Sequence, residues 1–492
     1  MSYRDLRDWI VRVDELGELK RIRRAHWHLE MSTITELTFR EQRENPPAIL
    51  FDNIVDYPRG YRALWGQTGS IRRLALTLGL PIQPHALGLV GALREKLRTL
   101  TPIPPKIVSW GPIFENVMEG EAVDLLRFPI PFVHELDGGR YIGTGVMVIT
   151  RDPDEGWVNF GAYRVMVHDQ RTVGFYISPG KHGRIHRDKY FARGEPCPVA
   201  ISVGQDPVLF LASGNEMPFG SSEYDYAGGL KDEPIEVVEG RHTGLPIPAW
   251  SEIVLEGEAI PTDRRREGPF GEWAGYYGSG AREEPVIRVK AVYHRNQPIL
   301  GCVRPGRPPF DYSLSKSVMK SALLWDDLEK AGCPNVRGVW CHDAGGGRLL
   351  NIIAIKQVYP GHAKQAAMLL AQCHAGAYLG RFAIVVDEDI DPTNTYDVLW
   401  ALATRCDPAS SIDILRRAWS GPLDPIIRPG QKGFNSRAVV EACRPYEWRE
   451  EFPAVAEASP ELKAQVMAKW GKLIQARPRP ARTRSSGRRR SG

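Results

Sequence analysis

The sequence contains no CxxC pair. Its seven cysteines, Cys197, Cys302, Cys333, Cys341, Cys373, Cys406 and Cys443, are odd in number and far apart, so neither a zinc ribbon nor a thioredoxin-type motif is available. No apolar run approaches the ~18 residues of a membrane span. The N-terminal Met-Ser-Tyr-Arg-Asp-Leu-Arg-Asp-Trp is charged from its fourth residue and holds no apolar signal segment. We therefore expect a cytoplasmic protein with reduced thiols and no membrane span. Acid is absent from residues 476–492, where Arg477, Arg479, Arg482, Arg484, Arg488, Arg489 and Arg490 stand among Pro, Ser and Gly. Such a tail has no face to bury and is expected to be disordered. It reads as a solvated, dispensable extension, with tethering to RNA or anionic lipid as the alternative. Removing those seven arginines turns the net charge of +5 into −2, so no specific nucleic-acid partner is expected.

Against these absences, 42% hydrophobic and 25% charged residues describe an ordinary globular chain, and 492 residues suffice for about two to four domains. The 48 glycines and 39 prolines favour a loop-rich β component over a helical bundle. Leu6, Ile10, Val13 and Leu16 predict an amphipathic helix over 4–18, stopped by Gly17. A strand is expected at 49–51 and a second helix at 71–80, within an N-terminal α/β region, 1–116. Residues 117–310 hold short alternating runs (146–150, 174–177, 199–203, 251–255, 286–292) between Gly and Pro turns. They predict a split, partly closed antiparallel barrel or two packed sheets. A connecting segment, 311–335, leads to a strand at 350–355, a helical face of Ala363, Ala366, Ala367, Leu370 and His374, a strand at 382–386 and a helix at 395–405. That order is a βαβ unit, placed in a C-terminal α/β domain at 336–450. A last helix is expected in 451–475, before the tail at 476–492. The fold class is thus α+β/α/β multidomain, without internal repeats.

Three motifs are weak. His182-Gly-Arg-Ile-His186 has the spacing of a zinc helix but lacks its glutamate, and Pro179 and Gly183 argue against a helix there. Gly345-Gly-Gly-Arg348 reads as a turn into a strand, with an anion cradle as the alternative. Asp387-Glu-Asp-Ile-Asp391 could gather a metal, but acids between a strand and a helix more often cap free N–H groups.

Glu267-Gly-Pro-Phe-Gly-Glu272 carries more. Gly268, Pro269 and Gly271 forbid a helix, so two carboxylates share a tight loop. Neighbouring carboxylates do not both ionise cheaply, and a raised pKa is how a general acid is made at neutral pH.

The loop stands among six motifs that together resemble the UbiD family of decarboxylases. Asp5-Leu-Arg-Asp-Trp-Ile with Gly17-Glu-Leu-Lys-Arg21 resembles its N-terminal signature. Asn159-Phe-Gly-Ala-Tyr-Arg164, Ser222-Glu-Tyr-Asp-Tyr-Ala-Gly228 and Pro248-Ala-Trp-Ser-Glu-Ile-Val-Leu-Glu-Gly257 follow. Then come Glu267 to Glu272 with Gly275-Tyr-Tyr277, and Ile355-Lys-Gln-Val-Tyr-Pro-Gly-His-Ala-Lys364. The resemblance implies prenylated FMN, bound in the central split barrel by Asn159, Phe160, Gly161, Ala162, Tyr163, Arg164, Lys181, His182, Glu223 and Arg381. It implies a divalent Mn²⁺ or Mg²⁺ on Asn159, His182 and Glu223, a donor set suited to a hard ion. It also implies a monovalent K⁺ at Ala212, Ser213 and Glu223. Arg164, Glu267 and Glu272 match the catalytic residues, with Arg164 clamping the substrate carboxylate and Glu272 delivering the proton that replaces CO₂. Some relatives have aspartate at the Glu272 position, and the family's phosphate-binding lysine is Arg381 here.

The activity so implied is reversible, non-oxidative decarboxylation of an aromatic, heteroaromatic or α,β-unsaturated carboxylic acid. A flavin prenyltransferase would supply the cofactor, and a homo-oligomer, dimer or hexamer, is expected. A conventional FMN redox protein and a non-catalytic subunit of a carboxylase complex are the alternatives. Asn159 and Arg164 are five positions apart and would face opposite sides of a regular strand. Their assignment to one site predicts a bulge or break at Gly161.

Overall fold

The first apolar stripe forms a helix, Leu6–Glu15, in the computed structural model of the chain. The Asp5 carboxylate caps it by accepting from the Asp8 N–H at 2.9 Å, and Gly17, with φ +73°, turns the chain away. Its buried face packs on a four-stranded sheet of Leu19–Arg23, Ala48–Asp52, Arg62–Trp65 and Ile299–Gly301. The structure describes residues 3–475 except 84, 216, 279, 429, 430 and 432. The expected tail at 476–492 lies outside the described residues. Residues up to Cys443 form one compact unit, and a second unit begins at Arg444. The second contains the helix Pro460–Ile474, capped by Ser459.

Two of the resembling motifs explain how the N-terminal region is held. Arg7 forks onto Glu252 at 2.7 and 2.8 Å, and Arg295 reaches Asp5 at 2.9 Å and Glu252 at 3.3 Å. Glu18, from the same signature, accepts from Arg73 at 2.9 Å and Ser70 at 2.5 Å. The Arg73 guanidinium, fully buried, also donates to the carbonyls of Gly66 and Pro46. Burial pulls its pKa down to about 10, with the Glu18 charge opposing, so it stays a cation at neutral pH.

The central sheet has nine strands in antiparallel pairing. Its path is Arg140–Gly143, Val165–Asp169, Thr172–Gly174, Arg282–His294, Ile253–Glu267, Cys197–Val203, Val146–Arg151 and Val158–Gly161, with Asn116–Glu119 added on Arg282–His294. Successive residues enter different cores. Val148, Ile201 and Leu255 pack on one side, while Met147, Ile149, Ala200 and Val254 pack on the other. The sheet is a curled half-barrel, and its end strands do not pair with each other among the described residues. Closure into a barrel, part of the expectation, is not seen.

The C-terminal sheet runs Val336–Cys341, Leu350–Ile355, Phe382–Asp387, Phe434–Ala442, Ile412–Trp419. Its Leu350–Ile355 and Phe382–Asp387 strands are parallel and joined through helix His362–Gln372, the βαβ unit the sequence predicts.

Several expectations need correction. The helix at 71–80 stops at Thr77, because Gly79 takes φ +63°. The strand at 174–177 ends at Gly174. Phe175 and Ile177 are apolar because they are buried in the core, not because they join a ladder. His374 opens a separate short turn, His374–Ala377, and lies exposed. Residues 182–192 form a helix, His182–Ala192, despite Gly183, which sits in its first turn. The Asp387–Asp391 acids serve neither reading fully: Arg405 pairs with Asp387 at 2.9 Å and Asp389 at 2.7 Å, and Asn394 caps the following helix.

The Arg73–Glu18 pair has no solvent to replace a lost partner. Arg73→Ala leaves a buried carboxylate and is expected to cost about 3–5 kcal/mol, measured as an earlier denaturant-unfolding transition.

Candidate active site

Strand Ile253–Glu267 carries Glu267 to its end, paired with Arg282 on the returning strand. Gly268, at φ +80°, opens the hairpin loop. A bridge between Gly271 and Tyr277 and a bond from the Glu272 N–H to the Tyr276 carbonyl at 3.0 Å close it. Both carboxylates therefore sit on one braced loop.

Arg164 comes from the segment between strands Val158–Gly161 and Val165–Asp169. Strand Val158–Gly161 stops at Gly161, the Ala162 N–H donates to the Ser213 carbonyl at 3.0 Å, and the next strand starts at Val165. The break falls at the expected glycine, and its packing shows why. A Cβ at Gly161 would lie 2.3 Å from Cζ of Tyr163, and one at Gly183 would lie 2.7 Å from Cε2 of the same ring. Tyr163 is pressed between two glycines, and its hydroxyl accepts from the Gly183 N–H at 3.3 Å.

The three side chains meet. Arg164 donates from Nε and Nη2 to the two oxygens of Glu267, each at 2.9 Å, and from Nη1 to Glu272 Oε1 at 2.5 Å. The Arg164 and Glu267 side chains are 8% and 2% exposed and that of Glu272 is 12% exposed, so the cluster is nearly dry and bidentate. Tyr141 donates to Glu267 Oε1 at 3.2 Å, and the Arg164 guanidinium lies 4.2 Å from the Tyr176 ring centroid. Burial pushes the Glu272 carboxyl above its ordinary range; the Arg164 charge opposes this and the Glu267 charge adds to it. Burial pulls Arg164 down, but Glu267 and Glu272 outweigh it, so Arg164 is held as a cation. Burial and the Glu267 charge raise Tyr141, which remains a hydroxyl donor.

Asn159 and Glu223 lie side by side beneath this break. With its amide turned to satisfy both neighbours, Asn159 donates to Glu223 Oε1 at 3.0 Å. Glu223 Oε2 accepts from the Phe160 N–H at 2.9 Å. Burial pushes the Glu223 carboxyl up to about 7, against that N–H bond, and no Lys or Arg pairs with it among the described residues. Glu223 is thus buried without a basic partner among these residues, and Asn159 in the opposite amide orientation turns its oxygen toward it, a donor pair that fits a hard cation. His182 starts its helix within edge contact of Trp157, centroids 5.3 Å apart. His186, one turn on, is buried against Thr150, with its pKa pulled down to about 4 by burial. No group of three His, Cys, Asp or Glu suited to a metal occurs among the described residues, which leaves a zinc helix without support. Ala212 and Ser213 end helix Pro207–Ser213; the Ser213 carbonyl accepts from the Ala162 N–H, and that of Ala212 from the Asn215 N–H. Lys181 precedes the His182 helix as its N-cap.

Arg381 stands apart. It forms an ion pair with buried Asp424, which also accepts from Ser420 and Asn435. It lines a cavity of about 650 Å³ on the C-terminal sheet with Arg416, Arg417 and Arg428. No described hydrogen bond joins it to Asn159, Phe160 or Glu223. The sequence reading missed Tyr141, which has no motif around it, and Tyr176, hidden in the apolar run misread as strand.

Comparison with known proteins places the chain among carboxy-lyases. Three family profiles match: the 3-octaprenyl-4-hydroxybenzoate carboxy-lyase N-terminal domain over 10–89, the Rift-related domain over 106–308 and the C-terminal domain over 314–442. Pyrrole-2-carboxylic acid decarboxylase of Pseudomonas aeruginosa is 35% identical over 86% of this chain and 87% of its own. A phenolic acid decarboxylase of a Streptomyces species is 32% identical over 97% and 100%. Among solved structures, the UbiD-class enzyme HmfF of Pelotomaculum thermopropionicum in complex with FMN superposes with a TM-score of 0.84, at 29% identity over 95% of this chain and 100% of its own. An evolved dimeric form of HmfF, in complex with prFMN, gives 0.80 at 27% identity over 95% and 99%.

Gly183→Ala tests the Tyr163 wedge. The new methyl must displace a buried ring, at a cost of about 1–3 kcal/mol. An earlier thermal unfolding transition, with lower flavin content per chain measured by absorbance, is the expected result.

Proposed function

The chain belongs to the UbiD family of carboxy-lyases, and from that premise we propose that it decarboxylates an aromatic, heteroaromatic or α,β-unsaturated carboxylic acid with prenylated FMN. The observation that carries this reading is the closed Arg164–Glu267–Glu272 cluster, an expensive arrangement to bury without a use. When bound, prenylated FMN supplies an electron sink for the pair left behind as CO₂ departs. Asn159, His182 and Glu223 would hold Mn²⁺ or Mg²⁺, and Ala212, Ser213 and Glu223 a K⁺.

The remaining chemistry is done by the cluster. Glu267 occupies one fork of Arg164 and Glu272 a further N–H, which leaves one N–H each on Nη1 and Nη2. That edge is what Arg164 offers a substrate carboxylate, and the fork fixes its direction. Glu272 holds a proton at a higher pH than an ordinary carboxyl and delivers it to the carbon that loses CO₂. The donor must be protonated, so turnover falls as pH rises through that raised pKa. In the same reading 117–310 forms the cofactor-binding domain and 336–450 carries the contacts of a cytoplasmic homo-oligomer.

Co-expression with a flavin prenyltransferase, followed by a screen of aromatic and heteroaromatic acids for CO₂ release, tests the activity. An ordinary FMN spectrum with NAD(P)H oxidation and no CO₂ release would refute it. Glu272→Gln should lower turnover by ~10²–10⁴-fold with flavin and metal content unchanged, and should abolish the alkaline limb of the pH–rate profile. Arg164→Ala should also weaken substrate binding, because the carboxylate clamp is lost and Glu267 loses its ionic partner as well.

A further inference from the structure

The motif Gly345-Gly-Gly-Arg348 has no role in the cluster as described, yet the fold brings it there. The turn Asp343–Gly345 is followed by Gly346 and Gly347, both at positive φ, +63° and +65°. A Cβ at Gly346 would lie 2.3 Å from Cε3 of Trp273, the residue after Glu272. The glycines thus let the backbone of the C-terminal sheet's connection press directly on the hairpin that carries the proton donor. The next residue uses that approach. The Arg348 guanidinium lies over the Trp273 ring, 4.6 Å from its centroid, and its charge acts on Glu272. Its Nη1 is buried and has no hydrogen-bond partner among the described residues, and no carboxylate pairs with it there.

A buried guanidinium nitrogen without an acceptor is costly unless an acceptor arrives. Charge balance says what kind. Among the described residues Arg164 is the one cation hydrogen-bonded to Glu267 and Glu272, and its charge is matched by theirs, so an incoming anion needs a further cation. Trp273 is packed in a buried apolar group with Phe210, Phe310 and Leu379, so the Arg348 guanidinium stands against an apolar wall. We propose, on the basis of the decarboxylase reading above, that Arg348 is a substrate-binding residue and the second cation of the site. Its Nη1 donates to the carboxylate of the incoming aromatic acid, opposite the free edge of Arg164.

The test compares acid with amide on the flavin-loaded enzyme. Isothermal titration is run with benzoate and pyrrole-2-carboxylate, each against its carboxamide, on wild type, Arg348→Met and Arg348→Lys, with melting curves to verify folding. Wild type should bind at least one acid about tenfold or more tighter than its amide. Arg348→Met should reduce that preference to within about twofold, through weaker acid binding alone, and Arg348→Lys should retain part of it. A preference that survives in Arg348→Met, or is absent from wild type, overturns the proposal. CO₂ release by the same wild-type sample separates the two readings: release with an unchanged preference in Arg348→Met defeats the Arg348 assignment alone. Absence of release from every acid defeats the decarboxylase reading and this one with it.

Discussion

The bidentate bond between Arg164 and Glu267 is the constraint around which the site is organised. It joins a residue released by a strand break to a residue at the end of the sheet's longest strand. The bond fixes the plane of the guanidinium, and the plane fixes where Glu272 and any further carboxylate must lie. Because the pair is nearly dry, neither partner is spared by solvent if the other moves. The acidity of Glu272 follows from the same arrangement. Its burial favours the proton, Glu267 adds to that, and Arg164 prevents the carboxyl from drifting beyond use.

Much of the backbone serves this geometry through glycine. Gly161 ends a strand and admits the Tyr163 ring, Gly183 receives its other side, and Gly268 opens the hairpin. Tyr163 thereby couples the Arg164 segment to the start of the His182 helix. The residues proposed to hold a cation and those proposed to handle the proton flank one chain break, since Asn159 lies before it and Arg164 after it.

Legibility from sequence divided along physical lines. Elements with a full apolar period, such as Leu6–Glu15, Leu350–Ile355 and Thr395–Arg405, were readable because burial on one face repeats along the chain. The stretch around Phe175 was misread, since burial without ladder pairing leaves the same apolar signature as a strand. His182–Ala192 was missed because Gly183 reads as a helix breaker, although it is required there by a ring from another segment. The Arg164–Glu267–Glu272 set was found through motif resemblance and the two-carboxylate loop. Its bonding pattern and Tyr141 could not be, because contacts across more than a hundred residues leave no spacing rule. The N-terminal and Pro248 to Gly257 motifs proved to hold each other, through Arg7, Arg295 and Glu252, rather than to reach the cluster.

The central claim is that Glu272 carries the proton exchanged with the substrate carbon. Hydrogen exchange isolates that step, because it needs proton delivery but no loss of CO₂. The flavin-loaded enzyme is incubated with the decarboxylated product in D₂O without bicarbonate, and deuterium at the carbon that bore the carboxylate is followed by NMR. The account predicts exchange by wild type and its near-complete loss in Glu272→Gln at equal flavin content. Exchange at the wild-type rate in Glu272→Gln would contradict it.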